Sequence, residues 1–347
     1  MLLSIASICL SMALYAQQDK TIKADDFVHK SSETYEYPTD PEVLKKLEQW
    51  QDQKFGILFH WGIYSVRGTA ESWGLCSEPQ PWMYRSRKNA YDAPYGEFKK
   101  WYWGQAKEFN PVNFEPADWA KTMKEAGFKY LLFTTKHHDG FCMFDSKYTD
   151  YNIAQGPYKN GKYSNVAYHL FDAFRKENFM IGAYFSKADW HNEDYWDPDY
   201  ATPTRNPNYD IRTNPQKWAE FQQFTANQIG ELMSDYGRVD VLWLDAGWVR
   251  EPEQDIKIDE IVSNAHPWES NIPLTKKWGW KEGAQCKSAT WVINTLVEIV
   301  AKGGCFALGL GPKPDGTFDE EVYAVLKQTG DWLKKNGKSI YSTRKFR

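Results

Sequence analysis

The chain contains the stretch Val239-Asp240-Val241-Leu242-Trp243-Leu244-Asp245-Ala246-Gly247-Trp248, in which a short apolar run leads to the carboxylate of Asp245. Runs of this length, rich in Val and Leu and bounded by turn residues, are typical of a strand buried on both faces of a parallel sheet. The glycine and the small residue after Asp245 indicate a turn. The stretch therefore predicts a strand that presents Asp245 at its carboxyl end, partly shielded by the two tryptophans.

Similar apolar runs recur along the chain, and helical patterns lie between them. Further strands are predicted at Phe55–His60, Tyr130–Lys136, Met180–Ser186 and Cys305–Gly311, beside Val239–Asp245. Helical spacing is found at Ala117–Ala126, Asn165–Glu177, Gln216–Tyr236, Ser288–Ala301 and Glu320–Lys335. Alternation of this kind favours an α/β fold with a parallel sheet.

Polar and aromatic residues follow four of these predicted strands at the point where each strand ends. They are His60-Trp61, His137-His138, Asp189-Trp190 and Asp245. In a (β/α) barrel the loops that leave the carboxyl ends of the strands meet at one mouth. We therefore expect a (β/α)8-like TIM barrel over residues 41–347, with these side chains gathered at its open end.

The composition restricts the class of ligand. The formal net charge is only -4, which gives no electrostatic field suited to nucleic acid or an anionic membrane. Aromatic residues make up 16% of the chain, including 17 Trp and 21 Tyr. Aromatic faces stack on sugar rings, although large aromatics mostly fill cores. An uncharged carbohydrate is the ligand that this composition favours.

The amino terminus predicts export. Residues 2–14 form an apolar run of the kind found in secretory signal peptides, and polar residues follow from Gln17. We expect a signal peptide over 1–16 and a polar segment over 17–40. The run is too short for a membrane span, so the predicted location is periplasmic, extracellular or lumenal. The remaining cysteines (Cys76, Cys142, Cys286 and Cys305) lack zinc-site spacing, and free thiols or one disulfide both fit.

Asp245 has the placement that a catalytic carboxylate needs. A retaining glycosidase uses one ionised carboxylate as nucleophile and one protonated carboxyl as acid, about 5–5.5 Å apart. Glu269, beside Trp268, is the candidate for the acid, because a neighbouring aromatic can raise its pKa by desolvation. A strand-end Asp can also serve only as a cap, and the other carboxyls open for the acid role are Glu71, Glu78, Glu251 and Glu253.

The three histidines allow two kinds of ligand. His60, His137 and His138 can donate hydrogen bonds to sugar hydroxyls and accept them. A metal site is the rival, but adjacent strand residues point to opposite sides, so His137 and His138 share an ion only if the chain has already turned. A buried histidine that is hydrogen-bonded within the core would explain any one of the three. It is a poor explanation for all three together.

At these residues the chain resembles the family 29 α-L-fucosidases, from about Trp50 to Thr343. The matching stretches are KFGILFHWGIYSV, FNPVNFEPADWAKTMKEAGFKYLLFTTKHHDGFCMFDSKYTDYNI, GAYFSKADW, VDVLWLDAGW, PWES, WGW and NGKSIY. The resemblance implies a barrel that removes terminal α-L-fucose with retention and needs no cofactor. By the resemblance Asp245 is the nucleophile and Glu269 the acid/base. It also implies sugar-binding roles for His60, Trp82, His137, His138, Tyr184 and Trp243.

The sequence departs from the family pattern in three places. Glu269 follows Asp245 by only 24 positions, where relatives carry a further strand and a sugar-contacting arginine. Pro81 stands where the family often has a Glu before the pocket tryptophan, which leaves Glu78 as a substitute. The chain also stops soon after Tyr341, without the β-sandwich that commonly follows.

The shortened segment could remove a barrel strand and leave the barrel incomplete. The main expectation is an exo-acting retaining α-L-fucosidase that acts on fucosylated glycans or fucosides. The alternative is a catalytically impaired relative that binds fucose. A metal-dependent hydrolase is the third possibility, and it rests on the histidines alone.

Overall fold

Six parallel strands form the sheet at the centre of the protein. The computed structural model describes residues 39–77, 81–202, 204–250, 252–257 and 269–344, without the side chains of residues 81 and 82. The strands are β1 (Phe55–Phe59), β2 (Tyr130–Lys136), β3 (Met180–Ser186), β4 (Val241–Asp245), β5 (Glu269–Pro273) and β6 (Cys305–Leu310). All five predicted strands are confirmed, and β5 was not predicted.

The strands lie in the order β4-β3-β2-β1-β6-β5, and every neighbouring pair is parallel. Asp245, the last residue of β4, pairs with Ser186, the last residue of β3. Glu269, the first residue of β5, pairs with Cys305, the first residue of β6. Because the strands run the same way, these two pairs mark opposite ends of the sheet.

Eight α-helices are described. They are α1 (Pro41–Gln53), α2 (Pro81–Ala90), α3 (Tyr95–Gly104), α4 (Pro116–Glu125), α5 (Val166–Lys176), α6 (Pro215–Ser234), α7 (Ala289–Ala301) and α8 (Glu320–Asn336). The last five match the predicted helices. Short 3-10 helices occupy Ile63–Ser65, Glu71–Leu75, Gln105–Lys107 and Gly337–Ser339.

Local sequence explains where the helices begin. Proline occupies the first turn of α1, α4 and α6, where its missing N–H costs nothing. The Asp40 carboxylate accepts hydrogen bonds from the N–H groups of Glu42 and Val43 at 2.8 and 3.3 Å, which caps α1. Ser288 caps α7 in the same way, through the N–H of Trp291 at 3.2 Å.

Aromatic side chains join the sheet to its helical layer. Phe59 on β1 is fully buried, and its ring packs 4.9 Å from Trp119 of α4 and 5.8 Å from Phe174 of α5, centroid to centroid. Each fully buried side chain of this size stabilises the fold by about 1.5–3 kcal/mol. The other face of the sheet carries a cluster that includes Tyr130 and Tyr184. These contacts hold the strand ends, and hence the residues that follow them, in fixed positions.

The predicted leader lies outside the described residues, as does nearly all of the predicted segment 17–40. No described helix combines the length and the apolar character that crossing a bilayer requires. The four cysteines outside the leader are free thiols, and all but Cys286 are buried.

Candidate active site

Asp245 ends β4 at a sharp turn of the backbone. Ala246, which is fully buried, adopts a φ of 63°, a left-handed conformation that is uncommon for a residue with a Cβ. Strain of this kind gathers at functional sites. The turn leaves the Asp245 side chain 32% exposed, so the carboxylate is shielded but open to a ligand.

Several groups stabilise the charged form of Asp245. The Tyr184 hydroxyl donates a hydrogen bond to Oδ2, and the N–H of Ala246 donates one to Oδ1 at 2.6 Å. Burial acts to raise the pKa of Asp245, but attraction to His138 and His60 in their protonated forms and these two hydrogen bonds outweigh it, and the pKa is lowered. Asp245 is therefore ionised at neutral pH, as a nucleophile must be.

The three predicted histidines lie together beside Asp245. The His60 ring is 4.9 Å from that of His137, and the rings of His137 and His138 are 4.1 Å apart. Burial lowers the pKa of His60 to about 3 and that of His138 to about 4, and it lowers the pKa of His137 well below its usual value. At neutral pH the site therefore holds three uncharged imidazoles.

His137 and His138 also come close enough to share a ligand. The chain has left β2 at Lys136, so the alternation expected within a strand no longer applies. One ligand atom from each of His137, His138 and Asp245 lies within 4.8 Å of the other two. This trio could hold a cation. Nδ1 of each histidine is already hydrogen-bonded to a serine, His137 to Ser72 and His138 to Ser186, both at 2.6 Å.

Tyr184 and Trp243 join the same group, as the resemblance implied. Their rings stack at 5.0 Å with an interplanar angle of 14°, and the Tyr184 ring lies 6.0 Å from His137. Both side chains project from neighbouring strands, and Tyr184 pairs with Trp243 in the sheet register. The side chain of Trp82 lies outside the described part of the structure.

Glu269 is not part of this group, which contradicts the expectation that it supplies the acid. It begins β5, and the Tyr130 hydroxyl donates a hydrogen bond to its carboxylate. In the sheet register Tyr184 pairs with Thr134 of β2. Tyr130 lies four residues before Thr134 on the same strand, which is about 13 Å at the rise of a strand. The two carboxyls therefore lie at opposite ends of the sheet, well beyond the roughly 5.5 Å of a retaining pair.

The segment Glu71–Leu75 forms one wall of the site. In the 3-10 helix Glu71–Leu75, the Trp73 ring packs 5.1 Å from His138. Glu71 has a φ of 46°, is buried, and accepts a hydrogen bond from the N–H of Gly279 at 2.9 Å. Burial raises the pKa of Glu71. The pair Glu71 and Trp73, closely following His60-Trp61-Gly62, was the sequence signal for this wall.

An arginine reaches the site from the long loop after β3. The Arg205 guanidinium lies 5.6 Å from the Trp73 ring and 5.2 Å from the Trp248 ring, and the Trp248 ring lies 5.0 Å from that of His138. The backbone oxygen of Arg205 accepts hydrogen bonds from Trp190 Nε1 and the Tyr195 hydroxyl, at 3.1 and 3.0 Å. The sequence pattern gave no reason to expect this residue at the mouth.

Of the other carboxyls considered for the acid role, Glu78 and Glu251 lie outside the described residues, and Glu253 is exposed. Glu71 is buried and precedes Ser72, whose hydroxyl is hydrogen-bonded to His137.

Comparison with known proteins gives a consistent result. The family model described as alpha-L-fucosidase matches residues 23–266 and 261–338. Tissue alpha-L-fucosidase of Macaca fascicularis is 26% identical, over 87% of this chain and 70% of its own length. Alpha-L-fucosidase isoenzyme 1 of Paenibacillus thiaminolyticus has a TM-score of 0.70 and 28% identity, over 86% of this chain and 77% of its own.

A third relative carries chemical information. The GH29 alpha-L-fucosidase of Bacteroides thetaiotaomicron was solved as a trapped covalent intermediate with 2-fluoro-fucosyl fluoride. It has a TM-score of 0.67 and 26% identity, over 89% of this chain and 78% of its own. With the family model matching most of the sequence, this chain belongs to the α-L-fucosidase family, glycoside hydrolase family 29.

Proposed function

We propose that this protein is an exo-acting, retaining α-L-fucosidase that releases terminal α-L-fucose from glycans or small fucosides. The observation that carries the proposal is Asp245, which is kept ionised at the end of β4 and lies beside three neutral histidines. A carboxylate in this setting can attack an anomeric carbon.

The reaction has two displacements. Asp245 forms a bond to the anomeric carbon while the bond to the leaving oxygen breaks, which gives a covalent glycosyl-enzyme. Water then attacks the same carbon and gives its proton to the carboxylate that acted as the acid in the first step; fucose is released and Asp245 leaves as a carboxylate. Tyr184 and the N–H of Ala246, which bond the carboxylate in the free protein, orient it for attack. The trapped covalent intermediate of the Bacteroides relative supports this course.

The walls of the site suit a sugar that has both polar and apolar faces. Neutral imidazoles donate and accept hydrogen bonds, which matches ring hydroxyls. The Trp73 ring offers an apolar surface beside His138, and the Trp243 ring is stacked on Tyr184. The methyl group of a 6-deoxy sugar gains from such a surface, because it has no hydroxyl to satisfy.

We assign the proton-donor role to Glu71. A general acid must be protonated before the reaction, and burial raises the pKa of Glu71. The charges of Glu71 and Asp245 both act to raise the pKa of Tyr184, which supports a role for the two carboxyls in one site. Glu269 has a raised pKa of about 7 as well, but it lies at the other end of the sheet.

The barrel is proposed to be an incomplete version of the (β/α)8 fold. Strands β4 and β5 are the outermost strands of the described sheet, and they are 23 residues apart, from 246 to 268. A β-strand, helix and parallel β-strand together take about 30 residues or more. The 23 residues between β4 and β5 are too few for such a unit. We further propose that residues 1–16 direct export, on the strength of their apolar pattern.

Replacement of Asp245 tests the function. Asp245→Gly should abolish release of the aryl group from an aryl α-L-fucoside while far-UV circular dichroism and the unfolding midpoint stay close to those of the wild type. Retained turnover in that variant would refute the assignment. Fucose binding by the wild-type protein with no turnover of any fucoside would instead favour the alternative, a fucose-binding relative without catalysis.

A further inference from the structure

All three histidines of the site are bonded through the same ring atom. Nδ1 of His60 is 2.8 Å from the Tyr64 hydroxyl, and Nδ1 of His137 is 2.6 Å from Ser72 Oγ. Nδ1 of His138 is 2.6 Å from Ser186 Oγ. Buried hydroxyls thus hold one nitrogen of each ring and leave Nε2 of each for another partner.

For His138 the direction of the hydrogen bond follows from counting protons. Ser186 Oγ donates to the backbone oxygen of Ala188 at 2.6 Å, and that oxygen can only accept. A hydroxyl has one proton. Ser186 must therefore accept from His138, so the proton of His138 is on Nδ1.

The other nitrogen of His138 is then a bare acceptor when the ring is neutral. Its Nε2 is buried and has no hydrogen-bond partner among the described residues. It lies 3.7 Å from Oδ2 of Asp245, which is too far for a hydrogen bond. Two acceptors that face each other in this way need a donor between them.

We propose that Ser186 is a positioning residue that keeps the proton of His138 on Nδ1, so that Nε2 accepts a hydrogen bond from a hydroxyl of the bound sugar next to Asp245. The tautomer is a property of the free protein. That the donor is a sugar hydroxyl rests on the proposed function.

The tautomer is tested by NMR on the full chain labelled with ¹⁵N-histidine, with the His138 signals assigned from a His138→Asn spectrum. The wild-type protein should show His138 protonated on Nδ1. Ser186→Ala should populate the Nε2-protonated form, whereas Thr329→Val should not. Thr329 is the control because its buried hydroxyl bonds only Val325 within α8. A wild-type ring protonated on Nε2, or a Ser186→Ala spectrum unchanged at His138, would overturn the proposal.

The ligand is tested by kinetics on aryl α-L-fucosides that each lack one ring hydroxyl. Ser186→Ala should lower kcat/KM for the complete sugar by roughly 10- to 100-fold, because a buried hydrogen bond to a positioned group is lost. Ser186→Thr, which keeps the hydroxyl, should recover part of the loss. With one of the deoxy sugars, wild type and Ser186→Ala should become equal. If wild type and Ser186→Ala differ in kcat/KM with every deoxy sugar, the acceptor role of Nε2 is refuted. The NMR result still decides the tautomer.

Discussion

The Tyr184 hydroxyl donates a hydrogen bond to Oδ2 of Asp245 from the neighbouring strand of the sheet. The tyrosine is itself buried and stacked on Trp243, so its hydroxyl cannot move away from the carboxylate without disturbing the core. A rigid core residue thus fixes the orientation and the charge of the proposed nucleophile. This relationship gives the first prediction.

Tyr184→Phe should lower kcat/KM by about 10- to 100-fold, because a hydrogen bond to a charged group is lost. The Tyr184 hydroxyl lowers the pKa of Asp245, so its removal should raise that pKa and move the acidic limb of the kcat/KM profile to higher pH. The measurement is the pH dependence of aryl fucoside hydrolysis.

Tyr341→Phe is the matched control for this change. The Tyr341 hydroxyl bonds the backbone oxygen of Gly127 at 2.6 Å, away from the site, and its loss should leave the limb in place. An acidic limb that stays put in Tyr184→Phe would show that the hydroxyl does not tune Asp245.

Glu71→Gln should separate substrates by the quality of their leaving group. If Glu71 donates the proton, a fucosylated oligosaccharide, whose leaving alcohol is a poor leaving group, should lose kcat/KM by 100-fold or more. An aryl fucoside with an acidic phenol should lose far less in the first displacement. The ratio of the two rates in wild type and variant is the measurement. Equal losses on both substrates would assign Glu71 to binding.

Glu269→Gln should leave the ratio of these rates unchanged and should alter stability. Burial raises the pKa of Glu269 to about 7. The protonated form is therefore favoured by the folded state, and this contribution is full below the unfolded value near 4.5 and is lost as the pH rises through 7. The wild type should lose stability between about pH 4.5 and 7 through this group.

The variant cannot ionise at this position, so its unfolding midpoint in urea should fall less over the same pH range. Glu125→Gln, at an exposed position of α4, is the control and should follow the wild type. A loss of stability with pH that is the same in Glu269→Gln and wild type would contradict this account.

The strands and the group of side chains around Asp245 could be predicted because the local sequence patterns agree with the fold there. Apolar runs lead to polar residues at His60, Lys136 and Asp245, and parallel strands bring such ends together. The helices between them have apolar spacing and clear first residues. The family resemblance added roles to residues that this pattern had already placed.

The role of Glu269 could not be predicted, because the end of the sheet at which a residue lies is a tertiary property. Glu269-Ser270-Asn271-Ile272-Pro273 has too many polar residues to give a strand signal. Without a predicted β5, nothing indicated that Glu269 begins a strand. Arg205 was not predicted for a similar reason. It belongs to a loop, and the path of a loop gives no periodic pattern in the sequence.

The buried ion pair behind the site gives the last prediction. Lys136 Nζ lies 3.1 Å from Oδ2 of Asp189, with side chains 0% and 3% exposed. The other oxygen of Asp189 accepts from the N–H groups of His191 and Asn192, both at 3.0 Å. This loop carries Trp190, whose N–H bonds the backbone oxygen of His138 at 2.8 Å.

Asp189→Asn should therefore lower the free energy of unfolding by about 3–5 kcal/mol, because it leaves the buried Lys136 charge without its counter-ion. Asp331→Asn breaks an exposed pair with Lys327, in which the side chains are 78% and 47% exposed, and should cost less than about 1 kcal/mol. Urea unfolding measures both. Similar costs for the two variants would show that the buried pair does not stabilise the loop that supports His138. If Asp189→Asn instead loses more free energy of unfolding than Asp331→Asn and has a lower kcat/KM while it is still folded, that result would show that this ion pair helps to hold His138 in position.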